Sequence, residues 1–134
     1  MDKLVLESKR IALTIVAESD VLCHLYYSDH NKYKNHYLGV ASVDYVCSYL
    51  ISGISKESMI GEVRFKRGNI EVFWIMSLFT AHASLYGNVS DEGFKLFCQE
   101  DGGHDLPTII LDQQCIKDWI TQLSELRLKY QSES

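Results

Sequence analysis

The sequence has no apolar stretch long enough to cross a bilayer. Its longest candidate, residues 70–85, carries Glu71 and His82 and falls short of the roughly 20 residues a spanning helix needs. A basic head followed by an apolar segment is also missing from the start. There Met1-Asp2-Lys3 runs into Leu4-Val5-Leu6 and then Glu7, Lys9 and Arg10, so the expected compartment is the cytoplasm. Repeats, linkers and polar low-complexity tracts are absent too, and residues 1–134 are expected to form one domain. Cysteine is sparse and scattered, at Cys23, Cys47, Cys98 and Cys115, which is no disulfide framework; all are expected to be reduced and mostly buried.

Signature motifs of chemistry are lacking. No G-x-x-x-x-G-K phosphate loop, no G-x-G-x-x-G dinucleotide turn and no G-x-S-x-G nucleophile elbow occurs. Neither C-x-x-C nor H-x-x-x-H, the spacings that bring metal ligands together on a knuckle or a helix, is present. Cys23 and His24 are adjacent in a predicted strand and would point to opposite faces. Glu100, Asp101, His104 and Asp105 surround Gly102-Gly103, where solvated turn residues are a plainer reading than a cation loop. Cys115, in the first turn of a predicted helix, is the best-placed thiol for nucleophilic use, but a small buried residue is the commoner role. His24, His36 and His82 read as surface or hydrogen-bonded residues rather than acids or bases. No catalytic residue, metal or cofactor is assigned, and the chain is expected not to be an enzyme.

What the chain does have is enough apolar side chain, 46% of residues, to build a core at this length. Leu4, Leu6, Ile11, Leu13 and Ile15 alternate with polar neighbours as in a half-buried strand. Glu18-Ser19-Asp20 breaks the pattern, and residues 21–28 form a second strand paired with the first as a hairpin. The period then changes. Tyr33, Tyr37, Val40, Val43, Cys47, Leu50 and Ile54 recur every three or four residues and predict a helix with that side towards the core. Asp29 or Ser42 caps it, depending on whether Gly39 lies inside the helix, and Gly53 ends it.

Residues 59–66 and 70–79 read as paired strands around Arg67-Gly68-Asn69, with a further strand at 82–88. A helix over 70–85 is the rival reading there. A short strand at 93–98, the turn Asp101-Gly102-Gly103 and an extended piece at 107–111 follow. Asp112 then caps a helix with an apolar stripe of Ile116, Trp119, Ile120, Leu123 and Leu126. The expected fold class is α+β: an antiparallel, strongly twisted sheet of about five or six strands, packed against a helix after strand 2 and a C-terminal helix.

Charge is unevenly spread. Residues 1–90 hold nine acids and nine bases, whereas residues 91–118 hold seven acids and two bases, so the formal charge of −5 falls in one segment. Its acids are Asp91, Glu92, Glu100, Asp101, Asp105, Asp112 and Asp118. Such a segment favours a basic partner and opposes nucleic acid. Lys9-Arg10, Lys32, Lys34, Arg64, Lys66, Arg67 and Trp74 carry the alternative, a single-stranded nucleic-acid-binding α+β domain that uses its sheet.

The order of features resembles one group of immunity proteins from bacterial contact-dependent growth inhibition systems. The residues carrying the likeness are an N-terminal strand pair, the segment Asp29-His30-Asn31-Lys32-Tyr33-Lys34-Asn35-His36-Tyr37, and a helix ending near Leu50-Ile51-Ser52-Gly53. Phe73-Trp74, a strand at 82–88, Glu100-Asp101-Gly102 and the last helix with Trp119-Ile120 complete it. Tyr37 stands where that group often has Trp, and Leu106-Pro107 where it often has Ile-Ser. The resemblance implies a cytoplasmic, non-catalytic protein that covers the active site of a cognate toxin domain, often a nuclease. Because such a site is basic, Asp91, Glu92, Glu100, Asp101 and Asp105 are the expected contact group, with the helix face or Tyr26 and Tyr37 as alternatives.

Overall fold

A computed structural model of the chain describes residues 2–19, 21–55, 63–67, 70–74, 76–90 and 93–131. Side chains are described for all of these except 63–67, 70–74, 76, 77, 89, 90 and 131. The order of elements is β1 (Asp2–Ser8), β2 (Ile11–Ala17), β3 (Leu22–Asp29), β4 (His36–Ser42), α1 (Val43–Ser55), β5 (Val63–Arg67), β6 (Ile70–Trp74), β7 (Met76–Phe79), β8 (Ala83–Ser90), β9 (Gly93–Glu100), β10 (Ile109–Leu111) and α2 (Gln113–Gln131).

The α+β class is observed, but the strands divide. One antiparallel sheet runs β1-β2-β3-β4, another runs β10-β9-β8-β7, and β5-β6 form a separate hairpin. The single sheet of five or six strands expected from the sequence is therefore replaced by two sheets of four, and the first helix follows β4 rather than the second strand. Residues 70–79 account for part of the difference. They make two strands, one pairing back to β5 and the other forward to β8, where one long strand was expected. The predicted strand start at 59–62 and the turn residues Gly68-Asn69 lie outside the described residues.

The opening strand is itself a hairpin. Ser8 pairs with Ile11 across a two-residue turn in which Lys9 takes a φ of 56°, a conformation usually left to Gly, Asn or Asp. A Lys-Arg turn carries no compositional signal, so the alternation of apolar residues reads straight through it.

The inner face of the first sheet places Leu6, Leu13, Ile15, Leu25, Tyr27 and Leu38 at no more than 1% exposure. They join Leu78, Leu85, Phe94, Leu96, Ile109 and Leu111 of the second sheet in one core. α1 packs against α2 and against β4, β7 and β8, while α2 packs on β1 and β10. Ser42 caps α1 by accepting the N–H of Tyr45 at 3.0 Å, and Asp112 caps α2 through the N–H of Cys115 at 2.9 Å. The stripe of α2 buries Trp119, Leu123 and Leu126, with Ile116 and Ile120 half-buried beside them. Trp119 also donates its indole N–H to the Glu7 carbonyl at 3.0 Å, tying α2 to β1.

Three further bonds join the sheets. Tyr27 Oη donates to the Pro107 carbonyl at 2.6 Å, Ser8 Oγ donates to the Ile110 carbonyl, and Thr80 Oγ1 donates to the Leu38 carbonyl at 2.5 Å. The last meets β4 at a bulge, where the register with β3 shifts between Leu25 and Tyr26. Gly39 takes a φ of +114° there, and a Cβ at that position would lie 2.5 Å from Thr80 Oγ1. The bulge resets the alternation, so that Tyr37 and Val40, three residues apart, both face outward and Leu38 faces in. This corrects the expectation that Tyr37 and Val40 lie on the core side of a helix: they are 39% and 38% exposed on a strand.

Candidate functional site

The outer face of the first sheet carries two cross-strand rows. Val5, Thr14, Tyr26 and Tyr37 make one; Lys3, Val16, His24 and Val40 make the other. Each row steps from β1 to β4, and both end beside a group of histidine and tyrosine rings drawn from four separate segments.

His24 lies at the centre of the first part of that group. Its Nε2 is 2.7 Å from Glu18 Oε2, and its Nδ1 is 2.8 Å from Tyr37 Oη. The carboxylate can only accept, so Nε2 carries the hydrogen, and in the neutral ring Nδ1 is left as an acceptor for the Tyr37 hydroxyl. Tyr37 also packs against Tyr26 and against His82 of the β7–β8 turn, with ring centroids 5.4 and 5.6 Å apart. Burial, together with the charges of Tyr26 and Glu18, pushes the Tyr37 phenol above its ordinary pKa, so it keeps its proton at neutral pH.

The second part is built by Asp29. Its carboxylate accepts the backbone N–H groups of Asn31, Lys32 and Tyr33 at 3.0, 2.8 and 2.8 Å, and these bonds, that to Tyr33 foremost, hold it below the usual carboxylate range. Asp29 thus caps a tight loop rather than the helix expected from the sequence. The loop presents Tyr33, whose hydroxyl is 2.8 Å from His104 Nε2 and whose ring meets His36 edge-on at 5.1 Å. Lys32 lies over the Tyr33 ring. His36 in turn bonds Glu100.

Glu100, Asp101 and Asp105 are therefore brought together with this group. They sit in and beside one turn, closed by the Glu100 N–H to the His104 carbonyl at 2.8 Å and tied to the β7–β8 turn by the Asp101 N–H to the His82 carbonyl at 3.0 Å. Asp101 and Asp105 are exposed, and Asp105 accepts from Gln99 Nε2 at 3.2 Å. Glu100 is only a quarter exposed and already holds His36. Asp91 and Glu92 lie outside the described residues.

The described acids of residues 91–118 are spread along the chain fold rather than gathered in one place. Asp105 lies beside Gln99, while Leu111, next to Asp112, pairs with Phe94. Five residues of β9 separate those positions, roughly 17 Å at the usual strand rise. Asp112 is occupied with the start of α2, and Asp118 lies a further turn along it. The sequence singles out Glu100, Asp101, Asp105 and Tyr37 as contacts, reads His104 as a turn residue and Tyr33 as part of a helix, and gives Glu18 no site role, because their convergence depends on strand pairing that no local pattern encodes.

Other candidates fare worse. Burial raises the Cys115 thiol, and raises Cys23 to about 11 and Cys47 and Cys98 to about 12, so none is poised as a thiolate. Among the described residues, no three His, Cys, Asp or Glu side chains converge as a metal site would need. A shallow groove of about 250 Å³ beside the first hairpin is lined by Lys9, Arg10, Asp29 and His30, but its Asp29 carboxylate is taken up by the three N–H bonds above. The side chains of Arg64, Lys66, Arg67 and Trp74 lie outside the described ones. Among the described residues, no helix is long and apolar enough to cross a membrane. Comparison with protein-family models, with curated proteins and with solved structures gave no match.

Proposed function

We propose that the chain is a non-catalytic immunity protein that binds a cognate bacterial toxin domain and blocks its active site, docking through the tyrosine and histidine face around the turn at residues 100–105. The observation that carries this reading is the convergence of Tyr26, Tyr33, Tyr37, His82 and the acidic turn from distant parts of the chain. Tyrosines contribute large contact area with few torsions to freeze, and they are over-represented among residues that dominate binding energy. Acidic side chains at the rim raise the encounter rate with a basic nuclease site and imitate the phosphates it holds. The likeness in feature order to contact-dependent growth inhibition immunity proteins supplies the partner class.

In this reading the acids divide the labour. Asp101 and Asp105 are exposed and can meet a cation, whereas Glu100 orients His36. The cytoplasm is the compartment in which such an inhibitor acts. Co-expression with any toxin domain found encoded beside the chain tests it: a tight stoichiometric complex and restored growth are expected. Full toxicity at confirmed expression of both chains would overturn the proposal.

A further inference from the structure

Resting on the reading that the partner is a basic protein, we infer that Tyr37 is a receptor for a partner arginine and that His24 sets whether it can act as one. The chain Glu18, His24, Tyr37 determines which way the phenol oxygen is presented. With His24 neutral, the Tyr37 hydroxyl hydrogen is used on Nδ1 at 2.8 Å, so the oxygen of this 39% exposed residue has only acceptor capacity left for a donor from outside. Tyr37 then faces outward as an acceptor, beside the Tyr26 ring and within two hydrogen bonds of the Glu18 carboxylate.

A guanidinium fits this arrangement on three counts. It donates to the oxygen, it stacks on tyrosine faces, and its charge is answered by Glu18. The exposed Val40, paired across from His24 on β4, gives its aliphatic stem something apolar to cover. An ammonium lacks the planar fork and the stacking, so lysine is the poorer occupant.

Protonation of His24 reverses the polarity. Both ring nitrogens then donate, one to Glu18 and one to the Tyr37 oxygen, so the phenol must turn its hydrogen outward. The face changes from acceptor to donor and gains a positive charge. The groups that set the local field are Glu18 from the β2–β3 turn, Tyr37 from β4 and His82 from the β7–β8 turn; Tyr26 neighbours His24 on its own strand. Lys3, the nearest cation along the row, is two strands away, roughly 10 Å. A basic partner is therefore held while His24 is neutral and released once it is protonated.

The test uses the full chain and a blocked hexa-arginine peptide, followed by NMR through the ring resonances of Tyr26, Tyr37 and His24. Saturable shifts of those rings are expected at about pH 8, with affinity roughly tenfold lower at about pH 5.5, the size expected from placing one charge near another at a protein surface. His24→Gln should remove most of that pH dependence, and His30→Gln should leave it intact. Tyr37→Phe, which keeps the ring and loses the acceptor, should weaken binding several-fold at about pH 8 and little at about pH 5.5.

Hexa-lysine binding as tightly as hexa-arginine, shifts that bypass Tyr37, or an unaltered pH profile in His24→Gln would each overturn the inference. So would a chain that ignores the peptide and binds a single-stranded oligonucleotide at low salt. The two readings separate cleanly. Growth rescue by the wild type that survives Tyr37→Ala undiminished refutes the arginine receptor alone, and arginine binding at Tyr37 without toxin neutralisation refutes the immunity role alone.

Discussion

Replacing Gly39 with alanine should damage both the fold and the candidate site. Gly39 holds a φ of +114°, and the added Cβ would approach Thr80 Oγ1 to 2.5 Å and Thr80 Cβ to 2.8 Å. Backbone strain at such a φ costs about 1–3 kcal/mol, and forcing an extra methyl into a packed contact costs a similar amount, about 1–3 kcal/mol. A loss of about 3 kcal/mol is expected, which for a chain of this size lowers Tm by roughly 10 °C. Urea unfolding followed by circular dichroism reads it directly.

A double-mutant cycle then isolates the clash. Thr80→Ala alone leaves the Leu38 carbonyl and the N–H groups of His82 and Ala83 without that hydroxyl, at a cost of about 1–3 kcal/mol. In the Gly39→Ala background the same change also removes the closest clashing atom, so the two costs should sum to less than their parts by about 1 kcal/mol. Strict additivity, or a Gly39→Ala chain within about 0.5 kcal/mol of wild type, would refute the bulge as the device that fixes β4 and points Tyr37 outward.

Other substitutions probe separate links. Tyr27→Phe removes a buried donor from the Pro107 carbonyl and should cost about 1–3 kcal/mol in urea unfolding; since burial raises this phenol, stability should also decline as pH rises above the ordinary tyrosine value of 10.0, and Tyr27→Phe should flatten that decline. Asp29 is held below the ordinary aspartate value of 3.8 chiefly by its bond from Tyr33, so its contribution is present above that value and lost as pH falls through the lower folded one. Asp29→Asn should accordingly make acid unfolding, followed by tyrosine fluorescence, less steep. Cys115, half-buried and with a raised pKa, should react with a disulfide reagent near neutral pH more slowly than a small-molecule thiol, ahead of the three buried cysteines; a faster reaction would contradict its structural role.

Much of the helical content was legible because helices signal locally. Ser42, one of two expected caps, starts α1, and Asp112 with its stripe gives α2. The turn at Gly102-Gly103 and the strands from 83 to 111 were likewise readable from composition and period. Two devices misled. A bulge at Gly39 shifts strand alternation by one, so that Tyr37 and Val40 imitate helical spacing. The Lys9-Arg10 turn has no Gly, Asn or Asp, so a hairpin passed for one strand.

Partition of strands between sheets was beyond the sequence for a different reason. β6 and β7 are consecutive and both extended, and which neighbour each pairs with is settled by long-range packing. The same holds for the site. Acidity marked residues 100–105, but the rings that surround them arrive from β3, β4 and the turn before β8 only once the sheets are assembled.

The most direct measurement is an amide-exchange footprint of the full chain in complex with a toxin domain that it is found to neutralise. The account predicts slowed exchange in residues 18–26, 33–40, 80–82 and 100–105, with the solvent side of α2 unchanged. Protection confined to α2 or to the first hairpin turn, with residues 33–40 and 100–105 exchanging as in the free chain, would contradict it.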